Sequence, residues 1–131
     1  MQSFNMKYLN ALGINCSVSE CVEFISMILI VKSEIYNRKI TELFDVDDIE
    51  SIVCSLGIWL NYGVENATYD FIEEAKVEFD CSKVPDLLEY YEKQVSKYIT
   101  PSFDALDGKD VKFDDILTAS QNCQNLCLPV H

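Results

Sequence analysis

The sequence is poor in the side chains that most often carry out chemistry. Among 131 residues there is one histidine, His131, and one arginine, Arg38. Histidine is the usual general acid–base group near neutral pH, and arginine is the preferred side chain for binding carboxylates and phosphates. Because both are so scarce, the sequence predicts a protein that is not an enzyme and has no catalytic residues.

Cofactor and metal motifs are missing as well. The four glycines stand apart, at positions 13, 57, 63 and 108, so there is no glycine-rich phosphate loop. There is no Cys-x-x-Cys pair of the kind that binds zinc, and no Glu-x-x-His of the kind that binds two irons in a helical bundle. We therefore predict no cofactor and no metal site.

Positive charge is also in short supply. Ten lysines and arginines face 22 aspartates and glutamates, which gives a formal net charge of −12. Binding to nucleic acid or to an anionic membrane surface requires clustered lysine and arginine, so neither partner is expected. The most apolar segment, 21–31, is about half the ~20 residues that a membrane span needs. No secretory signal is visible at the start of the sequence, and we predict a cytoplasmic protein.

Cysteine is plentiful in comparison, with six residues at positions 16, 21, 54, 81, 123 and 127. In a reducing compartment such residues are usually buried thiols that pack like small hydrophobic side chains. We predict this state for them. The alternative is that some of them form disulfide bonds.

Apolar residues recur at intervals of three and four, which indicates α-helices throughout. Predicted helices cover about 3–12, 17–37, 45–62, 66–79, 85–100 and 114–128, and the segment 102–112 is predicted to be irregular. No alternating pattern predicts a β-strand. The fold class expected is all-α, a compact bundle of about five to six helices in a single domain over residues 1–131.

Local signals mark where several of these helices begin and end. Gly13 is a natural stop for the first helix, and Ser17 with Glu20 has the form of a capping box for the second. Between Phe24 and Val31 nearly every position is apolar, which predicts that the second helix is central in the bundle.

The acidic residues suggest the first functional hypothesis, a binding protein that neutralises a basic partner. An acidic helical face can dock on a protein surface built to handle nucleic acid, and its charge accelerates association. This is how an inhibitor or immunity-type protein acts. The predicted partner-binding acids are Asp70, Glu73, Glu74, Glu78 and Asp80 on one helix, and Asp45, Asp47, Asp48 and Glu50 beside them.

A second hypothesis is contact with a partner helix through an apolar groove, as in helical proteins by which viruses or bacteria modulate their hosts. Trp59 and Tyr62 crowd the end of one helix with more aromatic surface than one buried face can hide. Tyr90 and Tyr91 are adjacent, so one of them is expected to meet solvent or a partner. Self-association through the same surface and carriage of a hydrophobic small molecule are further alternatives.

Overall fold

Helices account for most of the structure. The computed structural model of the protein describes residues 3–57, 83–104 and 109–126. In these ranges the helices are α1 Met6–Ala11, α2 Val18–Tyr36, α3 Ile40–Leu43, α4 Val46–Cys54, α5 Lys83–Tyr98, α6 Thr100–Asp104 and α7 Phe113–Leu126. Two short strands, β1 Ser3–Phe4 and β2 Val111–Lys112, complete the described part. The predicted all-α fold class is confirmed.

The longest helix, α2, lies at the centre of the bundle, as the apolar run predicts. It packs against α3, α4, α5, α6 and α7. Ile28, Leu29 and Ile30 follow one another and are all fully buried, so neighbours cover this stretch of α2 on every side. Buried residues from all seven described helices join one hydrophobic core around it. No helix in the described ranges is both long and apolar enough to cross a membrane.

α2 begins and ends at the positions that the sequence predicts. The Ser17 hydroxyl accepts a hydrogen bond from the Glu20 backbone N–H at 3.1 Å, which satisfies one of the open donors of the first turn. The Glu20 carboxylate accepts from the same hydroxyl at 3.1 Å. At the other end Asn37 takes the left-handed conformation, with φ 53° and ψ 46°, which asparagine tolerates better than most residues.

The start of the chain differs from the prediction of a helix over 3–12. Residues Ser3–Phe4 form a strand that pairs antiparallel with Val111–Lys112, with Phe4 opposite Val111. The Asn5 side chain caps α1 by accepting from the Tyr8 N–H at 3.0 Å, so the helix begins only after it. Phe4 also stacks on Phe113, with ring centroids 5.9 Å apart. Burial of Phe4 therefore outweighs the helical pattern here.

Three further boundaries differ from the predictions. The stretch 102–112 is partly regular, since α6 occupies its start and β2 its end. The short helix α3 follows α2 directly and buries Ile40. α4 ends at Cys54 and Ser55 forms a turn, but residues 56–57 are helical again, so the helix predicted over 45–62 is interrupted at Ser55 and its last part, 58–62, lies outside the described residues. The predicted helix over 66–79 lies outside the described residues.

A buried pair of hydroxyl groups contributes to the packing of α7 on α2. The Ser120 hydroxyl donates to the Ser26 hydroxyl at 3.0 Å, and both side chains are fully buried. In this apolar interior the two hydroxyls are hydrogen-bond partners, and water cannot reach either of them to replace the bond. This pair therefore fixes the position of α7 along α2.

Replacing one serine of this pair should cost more than replacing both. Ser26→Ala or Ser120→Ala leaves the other hydroxyl buried without its partner, and we expect each to lower the free energy of unfolding by about 1–3 kcal/mol. The double variant removes both polar groups and should lose less than the sum of the two. Urea denaturation of the four proteins measures this difference. Strict additivity would contradict the coupling.

Candidate functional site

The acidic residues at the start of α4 are the part of the predicted partner-binding set that the structure describes. Asp45, Asp47 and Asp48 are exposed, and Glu50 is half-buried. The Asp45 carboxylate accepts from the Asp48 N–H at 2.9 Å, and the Asp48 carboxylate accepts from the Asp45 N–H at 2.8 Å. This is a complete capping box. Two of the four acids therefore have a local structural role at this helix start.

Substitutions should separate the capping role from the charge. Asp45→Ala removes the N-cap and should lower the free energy of unfolding by about 1 kcal/mol. Asp47→Ala removes the same charge without removing a capping bond, and we expect a loss of about 0.5 kcal/mol from the helix dipole. Thermal or urea unfolding at matched ionic strength measures both. Equal losses would show that charge and not capping stabilises the start of α4.

The remaining predicted partner-binding residues lie outside the described part of the chain. They are Trp59, Tyr62, Asp70, Glu73, Glu74, Glu78 and Asp80. The placement of these side chains relative to the α4 acids therefore stays a prediction.

An acid-flanked groove between α2 and α5 is a site that the sequence analysis missed. It has a volume of about 310 Å³ and is lined by Glu23, Phe24 and Met27 from α2 and by Leu88 and Glu92 from α5. Among the described residues that line it, three side chains are apolar, which we call the apolar floor, and two are carboxylates. We call this feature the α2–α5 groove.

Glu23 is held in a fixed position at one side of this groove. Its carboxylate accepts hydrogen bonds from the Ser96 hydroxyl at 3.2 Å and from the Thr100 hydroxyl. Both donors are neutral, and no lysine or arginine of the described ranges forms an ion pair with Glu23. The half-buried Glu23 carboxylate is therefore oriented by uncharged donors beside an apolar surface.

Glu92 provides the second carboxylate and is exposed. One turn earlier on α5, Glu89 lies 4.0 Å from Lys93, and both of these side chains are well exposed to solvent. Such a pair contributes little to stability. Among the described residues, the charged side chains that line the groove are Glu23 and Glu92.

One sequence signal could have identified this groove. Glu23 is a charged residue within the most apolar stretch of the chain, one turn before Met27. A charge placed there needs polar neighbours, which indicates a special environment. The position of Leu88 and Glu92 opposite it depends on how α5 packs on α2, and no local pattern reports this packing.

The two adjacent tyrosines behave as predicted. Tyr91 is fully buried, whereas Tyr90 is 39% exposed. Their rings meet edge to face with centroids 5.0 Å apart. Tyr90 thus presents an aromatic surface on α5.

A polar network lies near the C-terminal end of α2. The Tyr91 hydroxyl donates to the Glu34 carboxylate at 2.8 Å, and the Gln124 amide donates to the same oxygen at 2.9 Å. Gln124 also donates to the Ser33 hydroxyl at 3.0 Å. The only arginine of the chain is nearby, where Arg38 pairs with Glu42 at 3.3 Å. The network joins α2, α5 and α7, so its evident role is to position these helices.

The described cysteines differ in exposure. Cys21 and Cys123 are buried, as predicted, but Cys16 is half-buried and Cys54 is exposed. The Cys54 sulfur lies 3.3 Å from the Tyr8 hydroxyl, and this hydrogen bond is the main cause that raises the pKa of Tyr8 to about 12. Within the described ranges no three histidine, cysteine or acidic side chains cluster in a way that could hold a metal ion.

Comparison with known proteins finds no matching family model, no curated relative and no similar solved structure.

Proposed function

We propose that this protein is a non-enzymatic, acidic binding protein that receives a basic amphipathic helix of a protein partner in the α2–α5 groove. The observation that carries the proposal is the half-buried Glu23 carboxylate, held by Ser96 and Thr100 beside the apolar side chains of Phe24 and Met27. This arrangement combines an apolar floor with negative charge.

The size of the groove suits protein side chains. A volume of about 310 Å³ is at the lower end of the range for small-molecule pockets. It has room for one or two large apolar side chains, such as two leucines that are one turn apart on a partner helix. Amphipathic helices bind hydrophobic grooves through anchors at this spacing. Lysine or arginine beside the anchors would then reach Glu23 and Glu92.

The fixed position of Glu23 favours this mode of binding. Its carboxylate is oriented before a partner arrives, so binding does not have to order it. Water already has limited access to the half-buried group, so a partner's cation interacts with it more strongly than with a fully exposed acid. The apolar floor provides the area that is removed from water.

The net charge of −12 acts at longer range. A field of one sign accelerates the encounter with a basic partner by one or more orders of magnitude at low salt, and the effect falls as ionic strength rises. The acids at 45–50, and those predicted at 70–80, contribute to this field. In this proposal they steer the partner, while the α2–α5 groove binds it.

Basic helices are typical of proteins that handle nucleic acid, because such helices contact phosphates. A protein that covers one of them prevents nucleic-acid binding. We therefore propose an inhibitor or immunity-type role in the cytoplasm, with a nucleic-acid-handling protein as the partner.

A designed peptide tests the groove directly. The probe is a helical peptide with leucine at every third or fourth position and lysine elsewhere, and its control has the same composition in scrambled order. We expect the patterned peptide to bind at least about tenfold more tightly, which is about 1.4 kcal/mol. Fluorescence anisotropy at low and at physiological salt measures both affinities. Equal binding of the two peptides would show only nonspecific charge attraction.

Two charge-matched variants locate the binding surface. Glu92→Lys in the α2–α5 groove and Asp47→Lys at the start of α4 change the net charge by the same amount. Long-range steering therefore changes equally, and only Glu92→Lys places a cation against the partner helix. We expect it to weaken the patterned peptide by about tenfold and Asp47→Lys to weaken it by less than about threefold.

The same measurements distinguish the alternative occupants. A larger effect of Asp47→Lys would move the site to the α4 acids. Sedimentation that shows a dimer, disrupted by Glu92→Lys, would make a second copy of the chain the occupant. A co-purified small molecule in native mass spectra, displaced by neither peptide, would indicate a carrier.

A further inference from the structure

Two cysteine side chains meet where the chain enters α2. Cys16 directly precedes the Ser17 N-cap, and Cys21 lies in the early part of α2. Their sulfur atoms are 3.0 Å apart. This distance is about 1 Å longer than a disulfide bond, so a small side-chain movement would bring the two atoms to bonding distance.

The two thiols differ in their access to solvent. Cys16 is half-buried, whereas Cys21 is fully buried in the hydrophobic core. Burial, together with the hydrogen bond to Cys16, raises the pKa of the Cys21 thiol well above its ordinary value. A soluble oxidant therefore reaches the Cys16 sulfur and not the buried Cys21 sulfur.

We propose that Cys16 and Cys21 are an oxidation site that forms a reversible intramolecular disulfide bond with hydrogen peroxide as the oxidant. The inference does not depend on the proposed function, because it concerns only the two sulfur atoms and their surroundings.

The reaction proceeds in two balanced steps. The Cys16 thiolate attacks one peroxide oxygen, the O–O bond breaks, and the released hydroxide takes a proton to become water. Cys16 is then a sulfenic acid. The Cys21 sulfur attacks the Cys16 sulfur, the S–O bond breaks, and the departing hydroxide takes the Cys21 proton. The two thiols lose two electrons in total, and the peroxide is reduced to two waters.

The structure around the pair favours closure over further oxidation of Cys16. The backbone between the two cysteines is already fixed by the Ser17 cap and by the Cys21 N–H bond to the Ser17 carbonyl at 3.1 Å. No loop has to fold to bring Cys21 to the sulfenic acid. Thiol reductants reverse the bond by exchange. In the oxidised state the chain between α1 and α2 is covalently held to α2.

Peptide mapping of the full-length protein tests the proposal. After treatment with peroxide, the unreacted thiols are alkylated and the chain is cleaved at lysine. Both cysteines lie in the single peptide between Lys7 and Lys32. The bond therefore appears as an unalkylated peptide that has lost two hydrogen atoms. Cleavage after Glu20 separates the two cysteines and should yield two linked peptides, which dithiothreitol releases.

Cys54 provides the internal control. It is exposed, and its sulfur contacts the Tyr8 hydroxyl and not a second described thiol. We expect peroxide to convert it to sulfenic or higher acids. Cys16 and Cys21 should instead each lose one hydrogen, and both losses should proceed at the same rate.

Two variants make the assignment decisive. In Cys21→Ala the linked product should be lost, and Cys16 should be trapped as a sulfenic acid by dimedone. In Cys16→Ser the linked product should also be lost, and Cys21 should stay reduced because it is buried. Circular dichroism checks whether both variants fold, and Cys16→Ser changes only a half-buried side chain. Cys16 linked to another cysteine, or oxidised without a bond to Cys21 in the wild-type protein, would overturn the proposal.

Discussion

The fold depends on one constraint, which is that α2 has to be covered on every side. Its segment 27–31 is apolar at successive positions, so no single amphipathic face could hide Ile28, Leu29 and Ile30. Each such side chain contributes about 1.5–3 kcal/mol when it is fully buried. The surrounding helices satisfy this requirement together, and their positions follow from it. Buried polar atoms on α2, such as those of Ser26 and Ser33, need partners from those helices because water cannot reach them, and half-buried Glu23 and Glu34 find partners there too.

These polar partners link the fold to the α2–α5 groove. Near the start of α2, the Glu23 carboxylate accepts hydrogen bonds from Ser96 and Thr100. Near its end, the Glu34 carboxylate accepts hydrogen bonds from Tyr91 and Gln124. α5 is therefore tied to α2 at two separated points. A groove between helices held in this way keeps its shape without a ligand, and a preformed site loses less entropy on binding. The residues that stabilise the bundle thus also position the carboxylate on which the proposed function rests.

Local signals in the sequence account for much of the fold but little of the candidate site. Gly13, Ser17 and Asn37 mark helix ends by their own side chains or backbone preferences, and the apolar run marks α2 as central. The pairing of Phe4 with Val111 depends on residues far apart in the chain. The short helix α3 buries Ile40 in the core, and tertiary packing of this kind overrides a weak local preference. The groove also depends on packing, because Glu23 and Glu92 become neighbours only when α5 lies on α2.

Net charge is therefore a poor guide to where an acidic protein binds. Among the described carboxylates, those of Asp45 and Asp48 cap α4, that of Glu34 holds Tyr91 and Gln124, and that of Glu42 pairs with Arg38. Each of these already has a local partner that a ligand would have to displace. Glu23 also has neutral partners, the Ser96 and Thr100 hydroxyls, but unlike these acids it lines the α2–α5 groove beside Phe24 and Met27. An oriented, uncompensated charge beside apolar surface gains most from a cation on an apolar stem, because that partner removes the surface from water and supplies the missing charge.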